Sequence, residues 1–186
     1  MKKSLNFGIL NFIYKCSEYA TLASLSPVRR FAMSIPTSAL RIKFLRESSR
    51  ANPPSVATPG SAGMDLRADI DDETLTIAPG ARAAIPTGIA IEIETPGLAG
   101  FVYSRSGLGA KHGLTVAQGV GVIDPDYRGE IIVWLLNTAD EPRTISRHER
   151  IAQLILAPVV RPVVIAVEEL GDTRRGSGGF GHSGKV

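Results

Sequence analysis

The residues Asp124-Pro125-Asp126-Tyr127-Arg128-Gly129 place two carboxylates, an aromatic ring and a cation in one short turn. Gly121-Val122-Ile123 leads into it and Ile131-Ile132-Val133-Trp134-Leu135-Leu136 leads out, so the whole reads as a β-hairpin. Turn chemistry accounts for Pro125, Gly129 and one Asp, but it has no need of the rest. A carboxylate directly after an apolar strand end, partly buried there, can polarise a water, which makes Asp124 the candidate general base. Tyr127 offers a flat face against which a ring can pack. A plain solvent turn, with Asp124 stabilising its own backbone, is the competing reading of the same residues.

Two other segments carry chemistry. Ser104-Arg105-Ser106-Gly107-Leu108-Gly109 sets a cation, a hydroxyl and two glycines in a turn after a strand, a compact arrangement for an anion. An Arg-Ser-Gly triplet by itself also marks an ordinary turn. Beyond Leu170 the composition changes to the glycine-dense run from Gly171 to Gly184, which cannot build a core. There Phe180 stands between Gly179 and Gly181, with Arg175 upstream. These are the parts of a closing flap: free amides to approach phosphate, a ring to stack and a cation to pair. A flexible end is the alternative. His112, His148 and His182 stand alone, and with the single Cys16 they give no zinc-ligand spacing.

The elements that must position these residues are strands. From Leu40 to Glu47 polar and apolar residues alternate as in a half-buried strand. Ser48 to Ser61 reads as a Pro- and Ser-rich loop. Short strands are expected at Thr74 to Ile77, Ala81 to Ile85, Gly88 to Glu94 and Phe101 to Tyr103. Gly107 to Gly113 makes one helical turn. Thr115 to Ile123 is expected to pair with Glu130 to Asn137, followed by strands at Arg150 to Pro158 and Val163 to Leu170. Many short strands punctuated by Pro and Gly indicate an all-β sandwich or barrel and exclude a βαβ fold. The chain divides into an N-terminal extension (1–38), a β-domain (39–170) and a Gly-rich C-terminal flap (171–186).

The 186 residues suffice for one domain with a proper core plus tails, and 44% hydrophobic with 21% charged residues is ordinary for a globular protein. The formal charge of +3 owes much to Lys2, Lys3, Lys15, Arg29 and Arg30 in the extension. No basic stripe interleaved with aromatics runs through the body, which disfavours a reader of polymeric nucleic acid. The apolar run from Leu5 to Tyr14 is too short and interrupted to span a membrane, and no signal-peptide cleavage pattern follows it. An organellar transit peptide and a true start at Met33 are both compatible with residues 1 to 38. The lone cysteine fits a reducing, cytoplasmic setting.

Five segments taken together resemble the five motifs of the trimeric deoxyuridine triphosphatases (dUTPases) in order and approximate spacing: Pro59 to Leu66, Ser104 to Gly109, Gly121 to Gly129, Arg150 to Ile155 and Arg175 to Gly184. The resemblance covers Arg41 to Gly184. It implies a jelly-roll-like β-subunit, a homotrimer with sites shared between subunits, and Mg²⁺-assisted hydrolysis of dUTP to dUMP and pyrophosphate. On this resemblance Asp124 activates the water, and Tyr127 packs on the deoxyribose and leaves no room for a 2′-hydroxyl. Arg105, Ser106 and Gly107 bind phosphate, with Gln153 near them. Arg175 reaches the terminal phosphate and Phe180 covers the uracil. Asp65 supports the metal through its waters. Val122, Ile123 and Ile132 line a slot that admits uracil and rejects thymine by its methyl group. Where many relatives carry Asn, this chain has Gln118, whose amide either contacts uracil or points outward. A dCTP deaminase of the same fold, and a trimeric β-sandwich that binds nucleotides without catalysis, are the rival readings. The first needs a glutamate beside the pyrimidine amino group, and the second has no use for Asp124, Ser106, Gln153 and Arg175 together.

Overall fold

The computed structural model describes residues 38–179; residues 1–37, Phe180 and residues 181–186 lie outside them, and with them the expectations about the extension, Phe180 and His182. The order is β1 (Leu40–Phe44), α1 (Glu47–Ala51), β2 (Ser55–Val56), β3 (Met64–Arg67), β4 (Thr74–Ile77), β5 (Arg82–Pro86), β6 (Ile89–Ile93), β7 (Leu98–Ser104), α2 (Ser106–His112), β8 (Leu114–Val116), β9 (Val120–Ile123), β10 (Ile132–Asn137), β11 (Arg143–Ser146) and β12 (Arg150–Pro158). The all-β expectation holds. Four antiparallel sheets, ordered β1-β6, β5-β10-β8, β11-β4 and β2-β3-β12-β7-β9, enclose a single apolar core.

Period-2 patterning explains which side of each strand faces in. Along β10, Val133, Leu135 and Asn137 are buried while Ile132 and Trp134 face out. Leu66, Ile85, Ile89, Leu135, Ile145 and Ile151 are buried and join the four sheets into one core. Burying such a side chain contributes about 1.5–3 kcal/mol each.

The hairpin expectation is corrected. Leu114–Val116 does pair with β10, through Leu135↔Val116 and Asn137↔Leu114, and Ala117 N–H still donates to the Trp134 carbonyl. The chain then turns at Gly119, whose φ of 81° is left-handed and suits only a residue without Cβ. From there Val120–Ile123 leaves for β7 (Tyr103↔Val120, Gly100↔Ile123), while Ile132 and Val133 keep β5 as their partner. The two arms of the supposed hairpin therefore part company where the turn residues lie.

Two more expectations change. The loop from Ser48 contains α1, stabilised by the Ser49 hydroxyl, which bonds to the Arg46 and Gly88 carbonyls at 2.7 and 2.8 Å. Val163 to Leu170 forms no strand: Val163, Val164, Ile165 and Leu170 are 86%, 89%, 77% and 87% exposed, and the segment pairs with none of the described strands. The expected helical turn is present as α2, closed by Gly113 at φ 68°.

One buried amide ties the end of β10 to its surroundings. Asn137, fully buried, donates from Nδ2 to the Ile77 and Glu141 carbonyls at 2.9 and 2.8 Å and accepts from Ala139 N–H at 2.9 Å. Asn137→Ala orphans all three backbone groups, so stability should fall by about 3 kcal/mol. Asn137→Asp should be similarly damaging, since a carboxylate cannot donate to two carbonyls. Urea unfolding at one fixed protein concentration, with an unchanged m-value, checks both.

Candidate active site

Two groups of side chains stand near opposite ends of β7. The first is built on a buried carboxylate. Asp65 of β3 lies directly across from Gln153 of β12, and its residue is only 7% exposed. Its Oδ1 accepts from Arg105 Nε at 2.9 Å and its Oδ2 from Arg150 Nη1 at 3.0 Å. Arg105 Nη1 also donates to the Arg150 carbonyl at 2.9 Å. A carboxylate at this depth is tolerated only with such partners. The consequence is that two guanidiniums are fixed at one spot with their remaining donors open, since the Arg105 and Arg150 side chains are 27% and 43% exposed. Gln153 donates from Nε2 to the Ser104 carbonyl at 3.1 Å, and the Ser104 hydroxyl accepts from Val116 N–H at 2.8 Å. Gly63 leaves room for the Gln153 amide: a Cβ there would stand 3.0 Å from its Oε1. Ser106 and Gly107, exposed at the start of α2, present main-chain N–H groups that have no partner inside the helix. Two cations, a hydroxyl and free amides form a group whose chemistry suits an anion.

The second group forms where β9 and β10 separate. A cleft of about 110 Å³ opens between them, lined by Gln118, Gly121, Val122, Ile123, Ile131 and Ile132 among others. β9 is the edge strand of its sheet, and Ile132 and Val133 of β10 are paired only on the β5 side. Main-chain donors and acceptors therefore face the cleft between apolar side chains. Its size matches one flat ring, since an apolar cavity of about 150 Å³ holds benzene. Gln118, exposed, leans over the cleft, its Nε2 3.3 Å from where a Cβ on Gly121 would be.

The turn from Asp124 to Gly129 follows this cleft directly. Tyr127 N–H closes it onto the Asp124 carbonyl at 3.1 Å, and Arg128 Nη1 bonds to the Pro125 and Tyr127 carbonyls at 2.7 and 3.0 Å. With main chain and Arg128 making the turn, the Asp124 side chain is not needed for it. Asp124 is exposed rather than partly buried, because β9 ends at the rim of its sheet. Tyr127 is 46% exposed and presents one face outward.

β7 separates the two groups. Asp124 follows Ile123, which faces Gly100, whereas Arg105 follows the other end of the strand. At ~3.3 Å per residue, Gly100 and Arg105 stand about 16 Å apart along the chain. Within the subunit, Asp65, Arg105 and Gln153 come together with Ser106 and Gly107 beside them, and Gln118, Val122, Ile123 and Ile132 come together at the cleft with Asp124 and Tyr127 at its end. Arg175 belongs to neither group: its Nε donates to the Gly178 carbonyl at 2.8 Å inside the tail. Arg150 and Ser104 escaped the sequence reading. The first opens the segment Arg150 to Ile155, but only cross-strand pairing reveals that it shares a carboxylate with Arg105.

A family model described as dUTPase matches residues 49–184. Deoxyuridine 5′-triphosphate nucleotidohydrolase of Desulfitobacterium hafniense (strain Y51) is 47% identical over 145 residues, covering 78% of this chain and 95% of that protein. The protein of the same name from Shewanella sp. (strain ANA-3) is 51% identical over the same shares. Among solved structures, the Staphylococcus bacteriophage 80alpha dUTPase with dUPNHPP is 29% identical, with a TM-score of 0.69 over 80% of this chain and 99% of that one. A mutant dUTPase of phage phi11 of S. aureus, described as revealing the coordination of a structural Mg(II) ion, is 25% identical, with a TM-score of 0.62 over 72% of this chain and 99% of that one. The strand-edged cleft, the acidic turn beyond it and the arginine-bound carboxylate thus sit in a chain that belongs to the dUTPase family.

Proposed function

We propose that this protein hydrolyses dUTP to dUMP and pyrophosphate, with Asp124 taking a proton from the attacking water. The observation that carries the reading is a ring-sized cleft with free strand edges that ends in the Asp124–Tyr127 turn. Uracil enters the cleft and bonds to main-chain groups, as an added strand would. Val122, Ile123 and Ile132 leave no space for a 5-methyl, and cytosine presents the opposite donor and acceptor pattern. The sugar then lies at Tyr127 and the first phosphate near Asp124. The water oxygen bonds to that phosphorus as the bridging oxygen departs with pyrophosphate, and the water proton passes to the Asp124 carboxylate. Arg105, Ser106, Gly107, Arg150 and Gln153 hold the rest of the phosphate chain, so positioning and charge supply most of the rate.

Among the described residues no three of His, Cys, Asp and Glu stand together as a metal cage. Both Asp65 oxygens are engaged by guanidiniums, yet a carboxylate has about four lone-pair sites and can still accept from a water. This donor set fits Mg²⁺ brought by the triphosphate with its waters, with Asp65 one shell out. Bound there, Mg²⁺ offsets phosphate charge.

We further propose a homotrimer in which each site draws on more than one copy. Three features support this: the two groups at opposite ends of β7, the exposed apolar segment from Val160 to Leu170, and Arg175 engaged, among the described residues, within its own tail. The third copy comes from the family resemblance, as does the placing of Arg175 on the terminal phosphate and of Phe180 on uracil. No helix of the described residues is long and apolar enough to cross a membrane. The cytoplasm is the compartment we assign, on the lone Cys16.

Pyrophosphate from dUTP, without ammonia from dCTP, separates this function from deamination and from simple binding. Asp124→Asn should cut pyrophosphate release by roughly 10²- to 10⁴-fold while dUTP still binds, because the amide keeps the shape without the basicity. On dilution, specific activity should fall in step with the loss of trimer in sedimentation; a fully active monomer would refute shared sites. Truncation after Arg174 should leave the melting temperature nearly unchanged and slow turnover on the order of 10²-fold, more than it weakens binding, since a closing tail acts by fixing the phosphate chain.

A further inference from the structure

The Tyr127 ring is secured from below and from its hydroxyl end, and Glu130 supplies the anchor. The Tyr127 hydroxyl donates to the Glu130 carbonyl at 3.0 Å. The ring lies back over Gly129, where any Cβ would collide with it. The Glu130 carboxylate in turn accepts the Gly88 N–H at 2.7 Å. Gly88 precedes β6 in a left-handed conformation, φ 66°, and is closely flanked by the Asp69 and Ser49 side chains, so it offers a packed point of attachment. The next residue is fastened to the same place: the Thr87 hydroxyl donates to the Ile131 carbonyl at 2.6 Å, and Ile131 N–H donates to the Ile89 carbonyl at 2.9 Å. At the other side of the turn Arg128 Nη2 bonds to Glu92 Oε1 of β6 at 3.2 Å.

We infer that Glu130 is a positioning residue for sugar selectivity: by fastening its own main chain to Gly88, it fixes the carbonyl that holds the Tyr127 ring, and a fixed ring is what excludes a 2′-hydroxyl. The inference rests on the reading of Tyr127 as the platform beneath the deoxyribose. A side chain that can swing aside excludes nothing, because the extra oxygen then displaces it at little cost, whereas a ring held at its hydroxyl and backed by Gly129 must break a hydrogen bond to yield. Turn formation alone has no need of the Glu130 carboxylate, since the Tyr127–Asp124 main-chain bond and Arg128 already close the turn. The Asp124 side chain takes no part in these contacts among the described residues, so loss of the anchor should show first in selectivity and less in the chemical step.

The test is the ratio of kcat/KM for dUTP over UTP in the full-length protein, with the trimer and its melting temperature checked for every variant. Tyr127→Ala establishes the underlying reading: its ratio should drop, and an unchanged ratio would remove Tyr127 from the sugar site whatever Glu130 does. Given that drop, Glu130→Ala should lower the ratio about tenfold, chiefly through improved use of UTP. Glu130→Gln, whose amide oxygen can still accept from Gly88, should restore most of it. Tyr127→Phe should resemble Glu130→Ala, and the double variant should be no worse than the poorer single one, as for residues acting in series. A wild-type ratio in Glu130→Ala beside a reduced one in Tyr127→Ala overturns the inference, and so does a Glu130→Gln variant as unselective as Glu130→Ala.

Discussion

Backbone hydrogen bonding that is left incomplete is the constraint on which this architecture turns. Every strand seeks partners along both edges, yet among the described residues only β3, β7, β10 and β12 have a strand on each side. At Gly119 the chain departs from β10, β9 takes β7 instead, and β10 continues along β5. The edges so left facing each other are polar groups that cannot stay unbonded without cost, and an apolar floor lies between them. A planar molecule with its own donors and acceptors in one edge is the natural complement. The acidic turn belongs to the same event, because it is the connection that the separated strands require.

The second constraint is a charge in the wrong place for a simple core. Asp65 is buried on β3, and its neutralisation fixes two arginines that arrive from β12 and from the start of α2. Three chain segments far apart in sequence are thereby locked in register at one point. The arrangement spends part of each guanidinium on the carboxylate and leaves the other donors pre-aimed outward. An anion arriving there meets groups that need no reorganisation, which is the condition under which charge contributes most to a rate.

The sequence made the all-β class, most strand positions, α2 and the membership of both residue groups readable, because alternation, Gly and Pro punctuation and motif order are local signals. What stayed hidden was pairing. The residues from Thr115 to Ile123 and from Glu130 to Asn137 look like one hairpin, since nothing local says that Val120 will prefer Tyr103 to a nearer neighbour. Arg150 was visible only as the first residue of a motif; its use became clear from the carboxylate that it shares. Asp124 was expected to be half-buried, and its exposure follows from β9 being an edge strand, a fact of sheet order. Val163 to Leu170 has strand composition without a strand, because propensity needs a partner edge to be realised.

That last segment bears on how the protein must be made. From Val160 to Leu170 the chain joins no strand, with six large aliphatic side chains in solvent and its main-chain groups outside the described sheets. Such a stretch is a template for indiscriminate strand addition. If the chain assembles as the proposed trimer, a newly synthesised subunit would enter a race between meeting its own kind and sticking to something else, with an outcome that depends on local concentration. Production from clustered ribosomes on one message would favour the correct encounter, whereas scarce, scattered synthesis would lengthen the dangerous interval. For a chain that assembles in this way, abundance would be part of the folding problem.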